Sequence, residues 1–149
     1  MRRRPNDVLA AGLAASALSG VPSTAWTLIE RGDVLEGARA VGRMVLPRER
    51  RTVVLLAAGA PVHLGLSLGW AAVLAAALPP HDEPALGALG GLAIAALDLK
   101  LLGPRFPPIR ALPQGRQWAD HVAFGLTVGV VLRATRRAGR RPAPGGAAR

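Results

Sequence analysis

Seven polar residues lie within or at the ends of otherwise apolar stretches: Ser23, Thr24, His63, Ser67, Asp98, Asp120 and His121. Histidine titrates near neutral pH, and a carboxylate beside it can share or exchange its proton. An aspartate left alone at a bilayer centre costs about 3 kcal/mol on insertion scales, so such groups seek partners. Two histidines and two aspartates of this kind could relay a proton, bind a cation or hold a small polar ligand. The plainer reading is that each bonds a neighbouring helix and fixes the packing, at about 0.6–2 kcal/mol per contact. Other chemistries are excluded. No HxxxH or HxxE spacing is present, so no metal site is expected. The absence of cysteine removes disulfides, thiolate ligands and Cys nucleophiles. No P-loop, nucleophile elbow or dinucleotide fingerprint occurs, and Gly87-Ala88-Leu89-Gly90-Gly91 is a packing pattern with no strand before it. The chain is therefore not read as an enzyme, and no cofactor is expected.

The elements that must position these residues follow from where charge is missing. Thr52–Leu78 has 27 residues without Asp, Glu, Lys or Arg. At about 1.5 Å per helical residue this exceeds a hydrocarbon core of about 30 Å. Val8–Ile29 supplies 22 more such residues. Arg2–Arg4 before it resemble the start of a signal peptide, but the run is long enough to be an uncleaved span. Ala85–Leu102 is a third span and Trp118–Ala134 a fourth, the weakest because only Val122–Leu132 is free of charge. The expected fold is all-α: an integral membrane four-helix bundle formed by residues 8–29, 52–78, 85–102 and 118–134. Residues 1–135 make one transmembrane domain, and 136–149 a disordered basic tail.

Between the spans, Val34, Leu35, Ala38, Val41, Val45 and Leu46 recur at helical spacing opposite Arg39 and Arg43. That predicts a short amphipathic helix on the membrane surface between spans one and two. Pro22 cannot donate to the Leu18 carbonyl, which predicts a kink or break in span one. A break would leave amides at Ser23 and Thr24 free for an anion. Pro61 should bend span two close to His63. Pro79 to Pro84 form a tight turn, and the four prolines of residues 103–117 predict a loop with no regular helix.

Small residues mark the faces. Gly12, Ser16 and Gly20 share one, and Gly87, Gly91, Ala95 and Asp98 another. His121, Gly125 and Gly129 share a third. Gly59, His63, Ser67 and Trp70 line one side of span two, with Gly65 and Gly69 opposite. Such faces allow close helix approach, so homo-oligomers through Gly65/Gly69, Gly87/Gly91 or Gly125/Gly129 are expected partners. Span two then reads as the central helix. Connectivity puts the 30–51 and 100–117 segments on one membrane face, with Asp98, Asp120, His121, Ser23 and Thr24 near it and His63 below. The predicted site is one polar cavity, His63 deepest and Asp98 and His121 above it. Asp120 reads as an N-terminal helix residue favoured by the dipole.

The net charge of +10 does not indicate nucleic-acid binding, because the arginines flank apolar segments and are not interleaved with aromatics. Anionic lipid headgroups suit them better. Basic residues divide almost evenly between the faces. The basic flank of span one favours cytoplasmic termini. The stretches Ser19–Thr24, His63–Trp70 and Trp118–Gly125 resemble those of small, uncharacterised bacterial multi-pass membrane proteins. The resemblance implies an inner-membrane helical protein and assigns no activity. Composition and spacing favour an accessory or interaction role, with a small transporter or ion/proton pathway as the alternative.

Overall fold

Small side chains make much of the core, and large apolar ones face outward. In the computed structural model, which describes residues 4–79, 81 and 83–139, Ala11, Ala15, Ala71 and Ala75 are buried with Leu74, Ile94, Phe124, Val128 and Leu132. Leu9, Leu13, Leu66, Val73, Leu89 and Val130 are exposed. Such an outward apolar surface is far more than water tolerates, and it suits lipid.

The described residues are all-helical. The chain runs through α1 (Pro5–Leu18), α2 (Val21–Ile29), α3 (Glu36–Val45), α4 (Thr52–Ala77) and α5 (Glu83–Ala95). A π-helical segment (Ala96–Leu102) and a single 3-10 turn (Gly103–Arg105) lead to α6 (Pro107–Arg110) and α7 (Gln114–Gly139). Three helices are long and apolar enough to cross a membrane: Pro5–Ile29 taken together, Thr52–Ala77 and Glu83–Arg105.

Glycine decides how the helices meet. A Cβ on Gly87 would strike the Gly125 carbonyl, one on Gly91 the His121 carbonyl, and one on Gly129 the Glu83 carbonyl. The register steps four residues forward on α5 as it steps four back on α7, an antiparallel pair with backbones in contact. The Gly87/Gly91 and Gly125/Gly129 faces are thus spent on each other within one chain, and only the Gly65/Gly69 face is left open, with nothing within 4 Å. Gly12 seats α1 on Leu68 and Ala71 of α4.

Several expectations need correction. Of the kink or break expected at Pro22, span one shows the break, between α1 and α2, and Pro5–Ile29 together still makes one candidate span. The amphipathic helix exists as α3, but it packs antiparallel along α4, with Gly42 against the Leu55 carbonyl and Gly59 against Ala38 and Gly42. Span three is a regular α-helix only to Ala95. The proline-rich segment does hold helix, because Pro107 and Pro108 occupy the first turn of α6, where no N–H is needed. α4 continues through Pro61. The fourth segment is longer than expected. It starts at Gln114 and continues through residues 136–139, the first part of the predicted tail; residues 140–149, like Pro80 and Asp82 of the turn, lie outside the described residues.

The centre of the bundle is α7, and not α4. α7 touches α1, α2, α4 and α5, whereas α4 and α5, consecutive in the chain, barely meet. At the end of the bundle away from α3, Glu83 is fully buried and ion-paired with Arg136 of α7.

Candidate functional site

The break in the first span is where ionisable side chains meet backbone. The ladder of α1 ends with Ser19 N–H on Ala15 O at 2.9 Å, and Thr24 N–H on Gly20 O at 3.0 Å opens the next turn. Pro22 sits in the first turn of α2. A broken helix presents negative carbonyls at one end and positive amides at the other. His63 of α4 meets the first, its Nε2 lying 3.0 Å from Ser16 O. A carbonyl only accepts, so Nε2 carries the hydrogen. Asp120 of α7 meets the second, its Oδ1 accepting from Ser23 N–H at 2.9 Å. The anion expected at these amides is thus supplied by the chain itself. Ser23 Oγ turns back to Gly20 O at 3.2 Å.

The break opens onto a cavity of about 450 Å³, bounded by α2, α3, α4, α6 and the start of α7. Ser23, Thr24, His63, Gln117 and Asp120 give it a polar wall, and Val41, Leu56 and Ile109 an apolar one. Arg116, also in the wall, is held at its edge. Its guanidinium donates to Thr27 Oγ1 at 2.8 Å and pairs with Glu30. Trp26 Nε1 donates to the same carboxylate at 2.8 Å. Asp33 pairs with Arg39, whose guanidinium and the Leu35 N–H hold that carboxyl below its usual range. These contacts tie α2, α3 and α7 together at one end of the bundle.

A second polar group lies elsewhere. Asp98 is in the π-helical segment, where Gly103 N–H reaches back to Asp98 O. The wider π turn changes the direction of the side chains along the helix. Asp98 Oδ2 accepts from Trp70 Nε1 at 3.1 Å and lies 3.5 Å from His121 Nε2. His121 Nδ1 is 2.7 Å from Gln117 O and must donate to it. With Nδ1 donating to Gln117 O, the Nε2–Oδ2 approach is an ion pair when the ring is protonated. Lys100, two residues beyond Asp98, is exposed.

The expected single cavity is thus divided. His63, Asp120, Ser23 and Thr24 share the vestibule, while Asp98 and His121 pair with each other beside Trp70. Ser67 is buried on α4 and lines no part of the vestibule. The physical reason is helix geometry: consecutive residues such as Asp120 and His121 point about 100° apart. Asp120 also departs from its expected role, since α7 begins six residues earlier and the helix it caps is α2. Sequence reasoning missed Arg116, Glu30 and Thr27. Arg116 stands one helical turn before Asp120, a signal hidden by reading residues 103–117 as loop. Among the described residues no three His, Asp or Glu side chains are grouped to hold a metal ion. Comparison with family models, with curated proteins and with solved structures gives no match.

Proposed function

We propose that the chain is a four-span protein of the bacterial inner membrane that admits a small polar solute into this vestibule, as part of a transporter or ion pathway. The observation that carries the reading is the broken helix facing the cavity. Discontinuous helices facing a cavity recur where transporters bind solutes near mid-membrane, and here the bared carbonyl and amide hold His63 and Asp120 in the cavity wall. The Asp98–His121 pair beside α4 adds a group able to couple proton movement to binding. α7 as the fourth span is supported by its 26 residues, about 39 Å, and by exposed Leu126 and Val130 at its middle. A specific observation also favours an accessory role: Gly65 and Gly69 form a small-residue face on α4 that nothing in the chain covers. That face suits association with a second copy.

Single-cysteine labelling tests the vestibule, because the chain has no cysteine to remove. Thr24→Cys should react with a membrane-impermeant maleimide from one side only, the side from which Arg48→Cys reacts. Failure to react from either side, with Arg48→Cys reactive, would mean no aqueous access and would refute the proposal. A cytoplasmic-only reporter fused at the C-terminus tests the orientation, and activity of a periplasm-only reporter there would reverse it.

A further inference from the structure

We infer that the solute taken by the vestibule is an organic cation, an ammonium or amidinium with a short apolar body, and that Asp120 is its counter-ion. The inference rests on the vestibule reading above and adds the ligand's charge. Charge in the wall points this way although the whole chain is strongly basic. Three carboxylates line the cavity, those of Asp33, Glu36 and Asp120, against one guanidinium, that of Arg116. Arg116 is engaged by Glu30 and Thr27, outside the centre of the space. Asp33 is engaged by Arg39, and Glu36 lies within the field of the same guanidinium.

Asp120 differs from these. Its carboxylate accepts from Ser23 N–H and lies within reach of the Ser23 hydroxyl, and no guanidinium or ammonium among the described residues pairs with it. His63 has its Nε2 hydrogen committed to Ser16 O. An anionic solute would meet the Asp33, Glu36 and Asp120 carboxylates in the wall, with its one guanidinium partner already taken. A cation would instead find the Asp120 carboxylate, which no cationic side chain among the described residues pairs with, and Thr24 in the same wall. Val34, Val41, Leu56 and Ile109 would receive an alkyl body. A pocket with apolar walls and a few placed polar groups is the usual form of a small-molecule site.

The test compares three probes of one shape: hexylammonium, hexanoate and hexanol. The full chain is held in zwitterionic-lipid nanodiscs, and saturable NMR shifts of the Ser23 and His63 signals are followed. Hexylammonium should bind at least about tenfold tighter than hexanoate, about 1.4 kcal/mol. Asp120→Asn keeps an acceptor for Ser23 N–H, so the helix end stays capped. It should bring the two affinities to within about twofold and leave hexanol unchanged. Glu30→Gln should also weaken hexylammonium, because Arg116 is released toward Asp120 one turn away. Hexanoate binding as tightly as hexylammonium would overturn the inference and leave the vestibule standing. So would an undiminished preference in Asp120→Asn. Absence of saturable shifts with all three probes would refute the vestibule and the inference together.

Discussion

At Asp120 a side chain serves a helix other than its own. It lies six residues into α7 yet caps the amide end of α2, at Ser23 N–H. An N-cap acceptor contributes about 1 kcal/mol. Asp120→Ala should therefore lower stability by about 1–2 kcal/mol in a detergent-unfolding titration, while Asp120→Asn loses little. Equal losses in both variants would mean that charge, and not the acceptor, holds the helix end. The Asp98–His121 contact is also a residue-scale matter, because it joins two groups already tied to Trp70 and to the Gln117 carbonyl. In a cycle of Asp98→Asn, His121→Ala and the double variant, the coupling should be about 0.5–3 kcal/mol. A coupling near zero would show that the 3.5 Å approach carries no energy. Glu49 offers a pH handle outside the spans. Arg51 and the Arg50 and Arg51 amides depress its carboxyl to about 2 from an ordinary 4.5. A depressed pKa stabilises above the unfolded value and is lost as pH falls through the folded one. Amide protection at the start of α4 should hold at pH 6 and fall as pH approaches 2. Loss already complete at pH 4 would contradict this.

Among the elements, the α5–α7 pair depends most on the absence of side chains. Gly125→Ala adds a Cβ where the Gly87 carbonyl stands, and the helices must separate. Overpacking of this kind costs about 1–3 kcal/mol, so unfolding in detergent should come clearly earlier. Gly65→Ala meets nothing within 4 Å and should leave monomer stability within about 0.5 kcal/mol. If the two variants behave alike, the antiparallel glycine register is incorrect. The end of α2 gives an opposite case. Arg31 has φ 55, a left-handed backbone, while Gly32 N–H bonds Thr27 O and Arg31 N–H bonds Leu28 O. That is a Schellman ending with arginine where glycine is favoured. Arg31→Gly should raise stability by up to about 1 kcal/mol, measured in the same titration. A loss would show that the Arg31 side chain matters more than its backbone.

At the scale of the whole molecule, polarity and position trade places. α7 is not among the three helices apolar enough to cross a membrane, yet it is the one that α1, α2, α4 and α5 all contact. A helix covered by α1, α2, α4 and α5 needs few lipid-facing residues of its own, so His121, Asp120 and Thr127 are affordable there. Its ends are tied at both faces of the bundle, by Arg116 to Glu30 and by Arg136 to Glu83. Arg136→Ala removes a guanidinium that pairs with a fully buried carboxylate, and breaking a buried pair costs about 3–5 kcal/mol. Assembly of the bundle should fail or need lower temperature in that variant, judged by the yield of folded protein in mild detergent. Undiminished yield would mean that Glu83 is held by other contacts.

The sequence by itself determined what depends on local composition. Uncharged length marked α4 and the first and third spans. Pro22 marked the break, because an imide has no hydrogen to give. The glycine spacings on α5 and α7 marked the faces that meet, since a four-residue step repeats nearly one turn. Only the tertiary structure decided which face met which, because a small-residue stripe is the same signal for a neighbour in the chain or in a second copy. Gly87/Gly91 and Gly125/Gly129 took each other, and Gly65/Gly69 stayed open. It also decided that Asp120 and His121 part company, one to the break in the first span and one to Asp98. Their divergence is helix geometry, but the partner each one meets follows from the rotation of α7 against its neighbours, which no residue spacing along a single chain records.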